Sequence, residues 1–420
     1  MHASFLFFLA VMLAYMIRHY AFSLSALYMN KGQPHYIRHG LCYHPSVSIL
    51  IPARNEEAVI GRLIQRTTEL TYPKDKLEII VIDDGSNDQT GKIADEFSKV
   101  YDSVKVIHRS PKQGGRGKPE ALNEGLKHAS GEIILCFDAD YYPQLDIVEK
   151  LVAYFIDPEV GAVQGRVTVE NESASLVSRL VALERIGGYR VDQVARDNLR
   201  LIPQYGGTVG GFRRSLLLSL GGWDSGILAE DTDLTFRVVL AGYKVRYVNE
   251  AECYEEAVEN WHAYWHQRTR WAIGHMQCFF KHFLPVLKSR RLRFMEKLDG
   301  SLLLGVYFLP LLAVLSFVLG TLIFLCAPLP WLDWTGNILP VFAYSSVGNF
   351  ALFFELGVGI YLDGRSRLSW LLPVLILSFM INVVICCWAL SNLCFSKIAK
   401  KAKNHVWAKT THNGGFSGNV

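Results

Sequence analysis

The chain has 420 residues, half of them hydrophobic and only 20% charged, against about 25% charged in soluble domains. That much apolar material excludes disorder, and 34 glycines and 15 prolines in no period exclude a collagen-like or low-complexity chain. With 43 basic and 39 acidic side chains the net charge is +4, too balanced for a nucleic-acid binder, so no nucleic-acid partner is expected.

In chain order, residues 3–29 are almost wholly apolar, longer than the roughly 20 residues a helix needs to cross a bilayer. The segment opens MHASFLFF, with no basic start and no small-residue cleavage site, so residues 1–29 are expected to be a retained anchor. Arg18 and His19 lie inside it and must face protein or snorkel. Ordinary soluble texture follows. VSILIPARNEEAVIGRLIQRTTEL predicts a strand at Val47–Ile51 that stops at Pro52, then a helix. LEIIVIDDGSNDQTGKIADEF repeats that format, with Ser86 or Asp88 near the helix N-cap. VKVIHR predicts a third strand, EALNEGLKHA a helix and EIILCFDADYYP a fourth strand ending in acids. Alternating strands and helices predict an α/β fold with a mostly parallel sheet, whose ligands bind beyond the carboxyl ends of the strands.

The chemistry-bearing residues cluster at those ends. Asp138 and Asp140 flank one alanine, and paired carboxylates there suit a hard divalent cation that shares its shell with phosphates. Taken alone, such a pair is most simply a solvated loop. Asp83 and Asp84 could cap the next helix or accept hydrogen bonds from a nucleobase. GGRGKPEALN resembles a phosphate cradle without P-loop spacing, and Lys118 within it could reach a diphosphate. Glu230, Asp231 and Asp233 open a helix, as caps or as a base at the mouth of the sheet. In WHAYWHQRTRWAIGHMQCFF, Gln267, Arg270 and Trp271 sit at i, i+3 and i+4 on one helical face and suit an anionic leaving group beside a sugar ring. Trp261, Trp265, Met276, Phe279 and Phe283 suit the same helix to a membrane interface. His262 and His266 are four apart, but without HExxH a zinc site is not expected. The eight cysteines form no CxxC pair, and Cys386 and Cys387 read as small hydrophobes.

Taken together, DDGS, GKPEALN, DAD, ED and QRTRW, in this order between membrane segments, resemble the family 2 glycosyltransferases, and within them the membrane-embedded branch of cellulose, chitin and hyaluronan synthases. The resemblance implies a GT-A-like fold with flanking helices and α-helical transmembrane segments. It implies that Asp83 and Asp84 hold the nucleobase side of a nucleotide sugar, and it favours a UDP-linked over a GDP-linked donor. Lys118, Asp138 and Arg270 would bind the diphosphate; Asp138 and Asp140 would hold Mg²⁺ or Mn²⁺; Asp231 would be the general base. Gly207, Thr208, Glu230, Gln267 and Trp271 would meet the acceptor. Two departures stand out: Ala229 replaces the threonine of the usual TED, and Gly206-Gly207-Thr208 stands where cellulose synthases carry Cys-Gly-Ser.

The expected organisation is an anchor at 1–29, a cytosolic GT-A domain at 45–257, interface helices at 258–297, membrane helices at 298–396 and a basic cytosolic tail at 397–420. The tail's WAKTTHNGG, Trp407–Gly415, reads equally as a mobile lid like the gating loop of cellulose synthases and as a frayed basic terminus. The apolar runs at the C-terminal end are Ser301–Leu329, Ile338–Leu362 and Trp370–Phe395. Basic residues in DGRSRLS and KIAKKAKNHVWAK put both on the cytosolic side, so one run, most simply Ile338–Leu362 with Ser345, Ser346, Asn349 and Glu355, should be re-entrant or line a channel. The favoured function is a processive polysaccharide synthase in the plasma membrane, with a nucleotide-sugar donor, a glycan or lipid acceptor, membrane lipid and export proteins as partners. A single-addition glycolipid synthase, a non-catalytic membrane scaffold and a transporter are the alternatives.

Overall fold

The computed structural model describes residues 2–29, 43–110, 114–326 and 339–398. Helix α1 (His2–Tyr28) leads into strand β1 (Val47–Ala53), α2 (Ile60–Thr68), β2 (Leu77–Asp83), α3 (Thr90–Val100), β3 (Val104–His108), α4 (Lys118–His128) and β4 (Ile133–Cys136). Short β5 (Tyr142–Pro143), β6 (Val160–Val169), α5 (Leu176–Ile186), β7 (Gly210–Arg213), α6 (Glu230–Leu240) and β8 (Lys244–Glu255) complete the sheet domain. The eight strands run in the order β3-β2-β1-β4-β7-β6-β8-β5. The β3-β2-β1-β4 half is parallel, as the alternating pattern predicts. The other half is mixed: β7 is antiparallel to both β4 and β6, β6 and β8 are parallel, and β5 is antiparallel to β8. β1 does not stop at Pro52; that residue pairs with Ile82 in register and the strand ends at Ala53.

The near-continuous apolar runs of β1, β2 and β4 are those of a sheet covered on both faces. Alternate residues divide between two cores. Ile49, Ile51, Ile79, Val81 and Leu135 pack on one side, and Leu50, Ile80, Ile82, Ile134 and Cys136 on the other. β7 fits between β4 and β6 because it opens with glycines. A β-carbon at Gly210 would stand 2.3 Å from the Val163 carbonyl oxygen, and one at Gly211 1.9 Å from that of Ile134.

Beyond the sheet, α7 (Trp261–Lys288) is joined through a short elbow to α8 (Phe294–Gly305), and α9 (Leu309–Cys326), α10 (Leu339–Asp363) and α11 (Leu375–Ile398) follow. Among the described residues, three helical stretches are long and apolar enough to cross a membrane: Ala10–Tyr28, Phe294–Val318 and Ser366–Cys394. The run expected to be re-entrant is one continuous 25-residue helix, α10. The DGRSRLS loop after it lies against the sheet domain. Asp363 accepts from Arg190 at 2.6 Å, and Arg365 pairs with Glu172 at 2.7 Å. Arg18 and His19 face protein, paired with Asp192 and Glu355. The apolar side of α7 differs from expectation. Met276 is fully buried, Phe279, Phe283 and Trp265 pack against the core, and the exposed residues are Trp261, Phe280, Leu284 and Leu287. Of the two cysteines read as hydrophobes, Cys386 is buried and Cys387 exposed. The tail segment Trp407–Gly415 lies outside the described residues.

Candidate active site

At the carboxyl ends of β1, β2 and β4 the chain turns into loops that wall a cavity of about 1290 Å³. Asp84, Lys118, Asp138, Asp140, Gly207, Thr208, Glu230, Asp231, Gln267, Arg270 and Trp271 all line it. Asp83 does not. Its carboxylate accepts from the Ser86 amide at 2.9 Å and meets His108 Nδ1 at 3.0 Å, tying down the turn after β2. Asp84 accepts from the Gly115 amide at 2.9 Å and pairs with Arg109; burial raises its pKa against both.

The loop after β4 is pinned to the segment before β7, since the Asp138 amide donates to Thr208 Oγ1 at 3.0 Å. Lys118, at the start of α4, pairs with Asp138 and donates to the Gly207 carbonyl at 3.0 Å. Burial opposes its charge, yet Asp138 and Glu230 hold its pKa above the ordinary value. Three remote segments thus meet at one ammonium group.

α6 opens at Glu230, so both acids stand at a helix N-terminus, as the sequence predicts. Burial, and then the neighbouring Asp231, push the Glu230 carboxyl up to about 7. Gln204 links this helix start to the segment before β7: its Nε2 donates to Thr232 Oγ1 at 2.6 Å, and its amide donates to Gln193 Oε1 at 2.9 Å. Gln193 ends a π-helical stretch, Gly187–Gln193, that also lines the cavity. Such turns are rare and tend to occur at functional sites.

Gln267, Arg270 and Trp271 reach the cavity from α7, the single face their spacing predicts. Two guanidinium groups lie over the Trp271 ring, Arg268 at 4.1 Å and Arg185 at 5.3 Å from its centroid. Both cations are themselves anchored. Arg268 pairs with Glu184, and Arg185 grips Glu255 through two bonds of 2.5 and 2.9 Å. Burial lowers the Arg270 pKa, with Glu230 and Asp138 acting in the opposite direction. Glu184, Arg185, Glu255 and His275 line the cavity without having been singled out from the sequence. Arg185 and Glu255 are 70 residues apart, so no local spacing joins them. Among the described residues no three His, Cys, Asp or Glu side chains converge as a metal site. His262 and His266 have their Nε2 atoms 3.1 Å apart, with no third ligand in that set. Asp138 and Asp140 fit a divalent cation only as part of a shell that phosphate oxygens complete.

Residues 44–274 match the family described as "Glycosyltransferase like family 2". The chain is 40% identical over 255 residues to "Probable glycosyltransferase YdaM" of Bacillus subtilis, covering 59% of this chain and 60% of that one. It is 34% identical over 274 residues to the beta-monoglucosyldiacylglycerol synthase of Synechocystis, covering 64% and 56%. It is 30% identical over 247 residues to the poly-beta-1,6-N-acetyl-D-glucosamine synthase of Staphylococcus epidermidis, covering 59% and 58%. The chain therefore spans somewhat over half the length of these curated relatives. In fold it is similar to the mannosyltransferase PcManGT of Pyrobaculum calidifontis, solved in complex with GDP-Man and Mn2+. The TM-score is 0.57 at 22% identity, covering 84% of this chain and 97% of that one. With the family match extending from just before β1 through the QRTRW segment of α7, the chain belongs to the family 2 glycosyltransferases.

Proposed function

We propose that the protein is an inverting glycosyltransferase that moves a sugar from a nucleotide sugar, UDP-linked by resemblance, to an acceptor presented by the membrane. The supporting observation is a single cavity that joins Asp84, Lys118, Asp138 and Asp231 to Val306 and Leu352, each 37% exposed on the membrane-helix side. At about 1290 Å³ it is larger than a usual single-ligand pocket of about 300–1,000 Å³, so donor and acceptor fit together.

In this reading Asp84 receives the nucleobase side of the donor, and Lys118 and Arg270 lie along the diphosphate. Asp231 takes the proton from an acceptor hydroxyl as its oxygen attacks the anomeric carbon in line. The bond from that carbon to the diphosphate oxygen breaks, its electron pair leaves with the nucleoside diphosphate, and Lys118 and Arg270 stabilise that charge. Mg²⁺ or Mn²⁺ held by Asp138 and Asp140 supplies further charge neutralisation when bound. Trp271, held by cation–π contacts with Arg185 and Arg268, lines the cavity where a sugar ring would sit. The sheet domain faces the cytosol, where nucleotide sugars are made, and the helices make the protein a multi-pass protein of the plasma membrane.

Two products fit this chemistry, a growing polysaccharide and a glycolipid. A lipid acceptor is favoured by the apolar side chains that the membrane helices bring to the cavity, Leu302, Val306, Leu352 and Leu356, beside the polar Tyr307, Glu355, Ser378 and Asn382. The deciding assay is purified protein in lipid, supplied with a panel of radiolabelled nucleotide sugars. A chloroform-extractable product carrying one sugar is expected. A high-molecular-weight product would return the reading to a processive synthase, and no transfer from any donor to any acceptor would overturn the enzymatic reading.

A further inference from the structure

The elbow between α7 and α8 is densely basic. Lys288, Arg290, Arg291 and Arg293 fall within six residues, Lys297 follows one turn later, and Glu296 is the one acid among residues 284–298. All four residues of the dense cluster are exposed. Arg293 pairs with Glu296 at 3.1 Å, and Arg291 donates to the Leu240 carbonyl at 3.0 Å. Lys288 and Arg290 have no acidic partner among the described residues. Their charge is therefore uncompensated within the described protein.

Exposed apolar side chains flank the cluster on both sides. Leu284 and Leu287 come from the last turns of α7, and Phe294, Met295 and Leu298 from the first turns of α8. The apolar stretch long enough to cross a bilayer begins at Phe294, so the cations stand at its membrane entry, on the side of the sheet domain. A run of cations beside hydrocarbon-seeking side chains matches the boundary where anionic headgroups meet acyl chains. A soluble acidic partner would match the charge but leave the five apolar side chains without a purpose.

We propose that this elbow is a binding surface for anionic phospholipid headgroups in the leaflet facing the catalytic domain. Lys288 and Arg290 make the contact, while Leu284, Leu287, Phe294 and Met295 enter the acyl boundary. Because α7 also carries Gln267, Arg270 and Trp271, the contact fixes the height of the active site above the bilayer.

The test uses the full chain in phosphatidylcholine nanodiscs doped with a photoactivatable phosphatidylglycerol, or with a photoactivatable phosphatidylcholine of the same tails. Crosslinks are mapped by mass spectrometry to residues 284–298. A phosphatidylglycerol preference of about fivefold or more is expected, on the order of the effect of one juxtamembrane cation. It should fall toward one at high salt and in the Lys288→Gln/Arg290→Gln variant, with transfer activity in pure phosphatidylcholine unchanged. Equal crosslinking of the two lipids by the natural protein, or a preference that survives the double substitution, would overturn the proposal. So would loss of the preference on adding inorganic phosphate at an ionic strength at which chloride leaves it intact, which would assign the cations to a soluble anion.

Discussion

At Gly207 the backbone takes φ +89°, and a β-carbon there would stand 3.3 Å from Asp231 Oδ2 and 3.6 Å from Lys118 Nζ. The carboxylate read as the base and the ammonium read as the diphosphate ligand therefore flank one glycine. If Asp231 is the base, Asp231→Asn should lower transfer by about 10²–10⁴ while nucleotide binding, measured by calorimetry, stays near normal. Near-normal turnover would remove Asp231 from that role. Glu230, next to it, gives a second signal. Its carboxyl titrates at about 7 in the fold against an ordinary 4.5. Between those values the folded state holds a proton that the unfolded chain has lost, so stability is highest below that window and falls as pH rises through it. The Tm measured in detergent should drop between pH 5 and pH 7, and Glu230→Gln should flatten that slope. An unchanged slope would locate the titration elsewhere. Chelation should also abolish transfer, because two carboxylates do not fill a cation's shell without the diphosphate; full activity in excess chelator would end the metal reading of Asp138 and Asp140.

At the scale of the elements, α7 packs closely against the start of α6. Gly274 lies one turn beyond Arg270, and a β-carbon on it would stand 2.5 Å from the Ala229 amide nitrogen and 2.8 Å from the Ala229 side chain. The helix thus rests directly on the residue that precedes Glu230 and Asp231. Ala229, where the related motif has threonine, is buried in that contact. Gly274→Ala should push α7 away from α6, costing about 1–3 kcal/mol and separating Trp271 from Asp231. Transfer should fall at least tenfold, with a lowered Tm. Gly357→Ala is the control, since a β-carbon there meets nothing within 4 Å and Tm should hardly move. If both variants behave alike, the contact does not set the spacing.

Across the whole molecule, a buried ionic network joins the membrane helices to the sheet domain. Arg18 on α1 pairs with Asp192 of the π-helical stretch at 2.9 Å and lies 3.5 Å from Asp299 on α8. Asp299 also pairs with Arg196 at 2.5 Å, and His19 pairs with Glu355 on α10. Arg196 is only 2% exposed, so removing its partner leaves a charge with no access to water. Asp299→Ala should therefore cost about 3–5 kcal/mol, read as thermal unfolding in detergent. Combining it with Arg196→Leu should recover part of the loss, because the orphaned charge is gone as well. No recovery would show that Asp299 acts through packing instead.

The sequence by itself determined the parallel half of the sheet, the helix start at Glu230 and the shared face of Gln267, Arg270 and Trp271. Each is a local regularity, either an apolar run bounded by a turn or a spacing of three or four residues. Only the tertiary structure decided which acid of the Asp83-Asp84 pair faces the cavity, since adjacent residues differ only in the direction the turn gives them. It likewise decided that Met276 is core and Phe280 surface, because a helix with apolar residues on several sides does not reveal which neighbour covers it. The antiparallel pairing of β7 with β4 and the grip of Arg185 on Glu255 belong to the same class. They join segments 70 or more residues apart, where the energy comes from burial and charge pairing across the fold and leaves no periodicity along the chain.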